Sequence, residues 1–424
     1  MTSTPSALPR VLMVAFHFPP QAGSSGILRT LNFVKYLPQS GWRPSVLTAH
    51  PRAYEERSDN LLRNIPPDTQ VSRAFALDAA RHLSLAGKYP RWFALPDRWS
   101  SWWLGGVVQG WGLVRTLKPS VVWSTYPIAT AHWIGGTLAR WSGLPWVADF
   151  RDPMVSAGAP SDPRQRRAFE RIEAHAMRHA AACVFTTARA AAEYGRRYPD
   201  AAGRCHVIEN GYDDAAFDGL QPERFGTPPD KLLMLHSGLI YPRDRDPSTF
   251  FAAIRSLINR GTLAADKLCI RFRAPQHADE VRACARAHGL EDALEIAPPV
   301  AYGQALAEMM AADLLLVFQG SHFNAQIPAK IYEYLRAGRS LMAVVDPAGD
   351  TAAQLRQFEG VYVVDMGAAQ TIDEALTRWH ADKDAAPAVE ARRNNLRLVE
   401  KYSRSAQAAV LARILDQVAP ARTH

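Results

Sequence analysis

The segment IPAKIYEYLRAGRSLMAVV carries the most informative pair of charged residues in the chain. Pro328 suits the first turn of a helix and Gly338 suits the position just past its end, so the pattern predicts a helix over about Pro328–Ala337. Lys330 and Glu333 then lie on one face of it. A carboxylate can accept hydrogen bonds from two adjacent ribose hydroxyls, and the lysine can meet phosphate. The alternative is a solvated Lys–Glu pair that adds little to stability.

A second group of candidate binding residues follows the apolar run Leu232–His236, in the loop SGLIYPRDRDPSTFF. Gly238 permits close approach of the backbone to a ligand. Arg243 and Arg245 follow it, and a guanidinium can hold two phosphate oxygens at once. We therefore predict that this loop binds a diphosphate, although the sequence leaves open which of the two arginines faces it.

Two patterns in the sequence are formally compatible with a metal ion. Asp244 and Asp246 form a D-x-D pair, but Asp246 precedes a proline and is more simply explained as a helix N-cap. His175 and His179 are four residues apart on a predicted helix, but no third ligand is evident. We therefore predict no metal site and no cofactor.

A glycine-containing loop, HFPPQAGSSGILRT, follows the predicted strand Val11–Phe16. Gly23 and Gly26 permit tight turns, and Ser24 or Ser25 can cap the helix that begins there. The start of such a helix presents free N–H groups and a positive dipole end to an anion. The loop lacks the G-x-G spacing of the dinucleotide fingerprint, so the alternative is an ordinary strand–helix turn.

The elements that position these residues alternate regularly along the chain. Short apolar runs separated by amphipathic stretches are typical of parallel βαβ units. A polar stretch at about Gln221–Lys231 separates two series of runs. We therefore predict an α/β fold with two Rossmann-like, doubly wound domains, at 1–222 and 223–400, each binding ligands at the carboxyl ends of its strands. The segment 401–424 is predicted to be a helix that crosses back to the first domain.

Composition limits the classes of partner. The chain has 424 residues, and 49 Lys and Arg against 41 Asp and Glu give a net charge of +8. This excess suits phosphate ligands or an anionic membrane surface. Nucleic-acid binding is not expected, because zinc spacings and RNA-binding signatures are missing.

Location is predicted from three features. The four cysteines form no C-x-x-C pair, which favours a reducing compartment. The N-terminal residues lack a signal-peptide pattern. The longest apolar stretch, around Trp102 to Val114, is too short to span a bilayer, and its tryptophans are more typical of a core than of a membrane contact. We expect a cytoplasmic protein, with peripheral association at the inner face of the cell membrane as a further option.

Taken in order, the segments resemble family-4 glycosyltransferases of the GT-B fold. The resemblance covers most of the chain and rests on HFPPQAGSSGILRTLNFVKYLPQSGW, LPDRW, GLPWVADFRDPM, VIENGYD, HSGLIYPRDRDP, AADLLLVF and PAKIYEYLRAGRSL. It implies two domains facing across a cleft and metal-independent, retaining transfer of a sugar from a nucleoside-diphosphate sugar to a hydroxyl. Bacterial members often build lipopolysaccharide, capsule or exopolysaccharide on lipid-linked glycan acceptors.

The resemblance also implies roles for donor-side residues. Glu333 matches the second glutamate of the family's E-x7-E motif, which binds the donor ribose. Ala325 stands where the first glutamate is expected, so the usual contact to the donor sugar is missing. Arg243 or Arg245 matches the basic diphosphate binder near Gly238, with Lys330 assisting.

In the first predicted domain, Gly26 matches the glycine-loop position that faces the donor phosphate and is therefore a further donor-binding candidate. Asp152 aligns with the acidic residue of the family's His-Asp loop, and Arg151 stands where many members have a histidine. Asp152 and Arg151 are therefore the candidate catalytic residues. Two alternatives stay open. A nucleotide-sugar epimerase of the same fold would need acid–base residues in the cleft, and the sequence offers no convincing set. The missing glutamate and the arginine are compatible with a non-catalytic paralogue that binds nucleotide sugar or acts as a scaffold.

Overall fold

The computed structural model describes residues 8–24, 26–84, 89–156, 159–240 and 245–420. They form two α/β units, which divide the chain at different positions from the predicted limits of 222 and 400. The N-terminal unit comprises Met1–Glu209 and Arg404–His424, and the C-terminal unit comprises Asn210–Ser403.

The N-terminal unit is built on a parallel sheet whose strand order is β3-β2-β1-β4-β5-β6-β7. Its strands are β1 (Arg10–Val14), β2 (Arg43–Ala49), β3 (Gln70–Ala74), β4 (Val121–Thr125), β5 (Trp146–Arg151), β6 (Ala182–Phe185) and β7 (Cys205–Val207). Its first helices are α1 (Gly26–Tyr36), α2 (Ala79–His82), α3 (Trp102–Leu117), α4 (Ala129–Ser142), α5 (Pro163–His179) and α6 (Ala188–Arg197). The order of strands reverses between β1 and β4, which is where doubly wound sheets bind ligands.

Burial on both faces of this sheet explains why its strands read as continuous apolar runs. In β1, the side chains of Val11–Val14 are fully buried. On α1, Ile27, Leu31 and Val34 form the buried face that their helical spacing predicts. Trp102 on α3 is buried, in agreement with a core role.

The C-terminal unit contains a second parallel sheet, with the strand order β10-β9-β8-β11-β12-β13. Its strands are β8 (Leu232–Ser237), β9 (Leu268–Arg273), β10 (Leu294–Ala297), β11 (Leu314–Gln319), β12 (Ser340–Val345) and β13 (Val361–Asp365). Its helices are α7 (Ser248–Asn259), α8 (Ala278–Ala287), α9 (Tyr302–Ala311), α10 (Lys330–Arg336), α11 (Asp350–Leu355), α12 (Ala369–Asp382) and α13 (Ala386–Val399). Here the order reverses between β8 and β11.

Helix α10 is shorter at its start than the sequence predicts. The Tyr332 N–H donates to the Ala329 carbonyl at 3.2 Å, which is the i→i+3 hydrogen bond of a 3-10 turn. The regular α-helix therefore begins only at Lys330. Gly338 ends the helical segment with φ of 69°, as its identity predicts.

The last helix, α14 (Arg404–Val418), belongs to the N-terminal unit although it follows the whole C-terminal unit in sequence. It packs against α1, and Leu411 and Leu415 are buried. The Trp42 Nε1–H donates to Asp416 Oδ1 at 3.0 Å and ties the helix to the segment before β2. Across the described part of the chain, every helix is too short or too polar to cross a bilayer.

Candidate functional site

In the N-terminal unit, the start of α1 lies beside the ends of β1 and β5. Ser24 Oγ accepts a hydrogen bond from the Gly26 N–H at 3.2 Å, so Ser24 caps the helix, and the alternative Ser25 lies outside the described residues. A Cβ atom on Gly26 would lie 2.6 Å from Arg151 Nη1 and 2.7 Å from His17 Nδ1. A larger residue would therefore require Arg151 or His17 to move, and the predicted Gly26 and Arg151 lie side by side.

Arg151 presents a partly buried cation at this edge of the sheet. It follows a register shift in β5 and has φ of 61°, an uncommon value for a residue with a side chain. Its Nη1 donates weakly to the Tyr126 carbonyl at 3.4 Å, and its buried Nε has no hydrogen-bond partner among the described residues. Burial lowers the pKa of Arg151. A buried guanidinium N–H without a partner is a suitable donor to an anionic ligand.

Asp152 is held next to Arg151 by Thr186. The Thr186 hydroxyl donates to the Arg151 carbonyl at 2.9 Å and lies 3.4 Å from Asp152 Oδ1. Burial raises the pKa of Asp152, and the opposing attraction of Arg151 is smaller. The structure thus places the two predicted catalytic candidates together, with a carboxyl group that can exchange a proton more readily than an exposed aspartate.

His17 belongs to the same cluster, although the sequence did not lead us to predict it as a site residue. Burial and the nearby Arg151 lower its pKa to about 3, so the ring is neutral at physiological pH and acts only as a hydrogen-bonding group. Its Nδ1 lies 3.1 Å from Ser24 Oγ. The available signal was its position directly after a buried strand, at the same sheet edge as the glycine loop. His132, in contrast, is fully buried and bonded to Ser124, so it is a core residue.

A buried ion pair beneath the cluster fixes its geometry. Asp149 on β5 accepts two hydrogen bonds from Arg29 on α1, each of 2.9 Å, and a third from Thr125 on β4 at 2.9 Å. Arg29 Nη1 also donates to the carbonyls of Ile208 and Glu209, both at 3.1 Å. Because α1, β4 and β5 all meet here, the pair positions the helix start relative to Arg151.

In the C-terminal unit, Lys330 reaches from α10 to the end of β8. Its Nζ donates to the Ser237 carbonyl at 2.6 Å and lies 3.2 Å from His236 Nε2. Gly238 has φ of 107°, and a Cβ atom there would lie 3.1 Å from Lys330 Nζ. The structure therefore brings together Gly238 and Lys330, which are distant in the sequence, and glycine is required by its backbone.

The ammonium group of Lys330 is unusually easy to deprotonate. Burial, and then repulsion from Arg245, lower its pKa to about 7. His236 Nδ1 donates to the Leu316 carbonyl at 2.9 Å, so its Nε2 is left as an acceptor for Lys330. Two of the three ammonium N–H groups are thus engaged, and the third can meet a ligand oxygen. Binding an anion would favour the charged form.

Arg245 follows Gly238 and lies close enough to Lys330 to affect its pKa. Its Nη1 donates to the Leu239 carbonyl at 2.7 Å. Arg243 and Asp244 lie outside the described residues. The Asp246 carboxylate accepts hydrogen bonds from the Ser248 N–H at 2.9 Å and from the Ser248 hydroxyl at 2.8 Å. It therefore stabilises the start of α7 as predicted, although the N-cap residue itself is Pro247.

Glu333 lies one turn after Lys330 and is only partly buried. Its Oε1 accepts a hydrogen bond from the Tyr302 hydroxyl at 2.7 Å. Tyr302, at the start of α9, was not anticipated, because a tyrosine in a helix gives no signal of such a contact. The Tyr302 hydroxyl thus helps to hold the carboxylate at the side of α10.

Comparison with known proteins gives a domain family for the N-terminal part of the chain and a fold for both units. Residues 27–211 match the glycosyl transferase 4-like domain family. No curated protein sequence matches the chain.

Solved structures with the same fold extend over both units. A glycosyltransferase from Rickettsia africae has a TM-score of 0.69 at 11% identity, with 97% of this chain and 99% of that one covered. Anabaena HepE in complex with UDP and glucose has a TM-score of 0.64 at 13% identity, with coverage of 96% and 100%. A putative UDP-N-acetylglucosamine 2-epimerase from Listeria monocytogenes has 0.60 at 14%, with 97% of both chains covered.

The domain match confirms the resemblance seen in the sequence, and the structural matches confirm the fold. Residues 27–211 of the chain therefore match the glycosyl transferase 4-like domain family, and the chain has the GT-B fold.

Proposed function

We propose that the chain is a retaining glycosyltransferase. It moves a sugar from a nucleoside-diphosphate sugar to a hydroxyl of a lipid-linked glycan acceptor in cell-surface polysaccharide synthesis. The observation that carries the proposal is the cluster of Lys330, Arg245 and Gly238, in which a cation with an available N–H meets a backbone open to close approach. HepE, which shares the fold, is described in complex with UDP and glucose.

On the donor side, Lys330 and Arg245 would hold the diphosphate, with Arg243 as a further candidate. The side chain of Glu333 would bind the two ribose hydroxyls, with Tyr302 keeping the carboxylate in place. Since Ala325 replaces the first glutamate of the motif, the donor sugar must be recognised by other groups.

In the reaction, the bond between the sugar's anomeric carbon and the diphosphate oxygen breaks, and a bond from that carbon to the acceptor oxygen forms. The acceptor's proton passes to the departing phosphate oxygen, so no protein nucleophile is assigned. Gly26, at a helix start, would face the donor phosphate, and the Arg151 cation would stabilise negative charge without reorganisation. Asp152 would orient the acceptor.

Chelation should leave activity intact. We expect full transfer in the presence of EDTA, because the leaving diphosphate is neutralised by side chains. Initial rates with and without chelator, and with added Mn²⁺ or Mg²⁺, check this. A loss that either ion restores would contradict the metal-independent proposal.

Glu333→Gln should lower kcat/KM by about 10- to 100-fold, since a hydrogen bond to a charged group contributes about 1.5–3 kcal/mol. The melting temperature without donor should stay unchanged, because Glu333 is partly exposed. Glu390→Gln, an exposed glutamate on α13, is the matched control. Wild-type activity in Glu333→Gln would remove the ribose assignment.

The second candidate function is a nucleotide-sugar epimerase, favoured by the fold shared with the Listeria protein. A non-catalytic nucleotide-sugar-binding scaffold remains the third. Incubation with candidate donors, with and without a lipid-linked acceptor, separates transfer, isomerisation and no reaction. A thermal-shift screen of nucleotide sugars identifies the donor first, because a ligand that binds the native state raises its melting temperature.

We further propose that the enzyme works in the cytoplasm as a peripheral protein of the inner membrane face. Its net charge of +8 and its proposed lipid-linked acceptor support this location.

A further inference from the structure

A groove on the N-terminal unit lies outside the residues assigned to sugar transfer. It runs between α4 and α5, has a volume of about 610 Å³, and includes none of Gly26, Arg151 and Asp152 in its lining. We call it the tryptophan–arginine groove, after the residues that dominate its wall: Trp103, Trp133, Trp141, Arg140, Arg164 and Arg171.

The aromatic part of the groove is exposed. Trp103 on α3 stacks on Trp133 of α4 with ring centroids 4.8 Å apart. Trp133 is 39% exposed and Trp141 is 55% exposed. Of the ten large hydrophobic side chains that are exposed in the described part of the chain, six lie between residues 75 and 141, including Leu104 and Val108 on α3. Trp133 and Trp141 both line the groove, and exposed apolar side chains that share one concave surface are typical of an interaction site.

The charged part of the groove is made of three arginines. Arg140, Arg164 and Arg171 are all exposed, and within the described ranges none of them forms an ion pair with a carboxylate. None of the described residues that line the groove is an aspartate or a glutamate. Three uncompensated cations beside an apolar wall complement a ligand that is anionic at one end and apolar at the other.

We propose that the tryptophan–arginine groove docks the N-terminal unit on a bilayer by binding the phosphate headgroup and adjoining chain of an anionic phospholipid. Guanidinium groups bind phosphate oxygens in pairs, and tryptophan is favoured at the membrane–water boundary because its ring is apolar with one polar N–H. This proposal names the surface by which the protein would bind the membrane, and it rests on the peripheral location proposed above. It does not depend on the identity of donor or acceptor.

The test is co-sedimentation of the full chain, without donor or acceptor, with vesicles of phosphatidylcholine alone or containing phosphatidylglycerol. The double variant Arg140→Gln/Arg171→Gln should bind the anionic vesicles roughly 30-fold more weakly, since each basic residue at such a surface contributes about fivefold. Arg63→Gln/Arg397→Gln removes the same charge from exposed residues elsewhere and should change binding less than about threefold. Trp141→Ser should reduce the binding that persists at high salt, where only the apolar contribution remains.

Equal losses in the two double variants would overturn the proposal, because net charge rather than the groove would then drive binding. So would absence of wild-type binding at low salt. A melting-temperature measurement with glycerol 3-phosphate, a soluble headgroup, completes the test. If this ligand stabilises the wild type but not Arg140→Gln/Arg171→Gln, and vesicles do not sediment the protein, the proposal is wrong and the groove is a soluble-anion site. Sugar transfer to a water-soluble acceptor, measured separately, tests the proposed function independently.

Discussion

Lys330→Ala is expected to lower kcat by about 10²- to 10³-fold, the usual effect of removing one preorganised donor to a developing negative charge. The charge on the leaving diphosphate grows in the transition state, so kcat should fall more than KM rises. Steady-state kinetics with a saturating acceptor measures both constants. Lys267→Ala, an exposed lysine paired with Asp230 in the same unit, is the matched control and should behave as wild type.

The pKa of about 7 for Lys330 adds a pH signature. The ammonium is present below this pH and lost above it, so kcat/KM of the wild type should fall as pH rises through about 7 in the free enzyme. In Lys330→Arg, where the cation persists, this fall should disappear. A wild-type profile that is flat from pH 6 to 8, together with normal kcat in Lys330→Ala, would place the diphosphate site elsewhere.

Substitutions of Arg245 should lower kcat by an amount that depends on the residue that replaces it. Arg245→Lys should lower kcat because the lysine is only a point charge, and Arg245→Ala should lower it further. The same pair of changes at Arg243 shows which of the two arginines contacts the diphosphate. Normal kcat in all single variants and in the double alanine variant would make the loop a linker.

Asp149→Asn is expected to destabilise the N-terminal unit by about 3–5 kcal/mol, because it leaves the buried guanidinium of Arg29 without a counter-charge. Both side chains are at most 2% exposed. Urea denaturation, followed by a probe in the N-terminal unit, measures the change in unfolding free energy.

The control for this prediction is a surface pair with the same chemistry. Arg260 and Asp373 also form two hydrogen bonds, of 3.0 and 2.6 Å, but Arg260 is 50% exposed. Asp373→Asn should therefore cost less than about 1 kcal/mol. Similar losses at Asp149 and Asp373 would show that burial of the first pair has no energetic consequence.

The sequence alone was sufficient for features that depend on near neighbours. Apolar runs predict the strands, because a strand covered on both faces must be apolar throughout. Lys330 and Glu333 lie on one helix because helical geometry is periodic, and Gly338 ends that helix because its backbone tolerates positive φ. The order of such motifs was also enough to indicate the family.

The tertiary structure alone decided which distant residues meet. Nothing in the local sequence pairs Arg29 with Asp149, 120 residues later, or Lys330 with His236, 94 residues earlier. These contacts exist because the strand order places particular strand ends side by side. Burial at those ends then sets the charge state of Lys330 and of His17, and a pKa fixed by desolvation cannot be derived from residue type.

The same reason applies to the tryptophans and to the last helix. A tryptophan pattern on α3 predicts a core, and Trp102 follows it, but Trp103 is left partly exposed because its neighbour on α4 is another tryptophan at the surface. Residues 404–418 return to the first unit, where their apolar side chains join those of α1 in one buried cluster. Local periodicity determines which face of an element is apolar, whereas only the assembled fold determines what covers it.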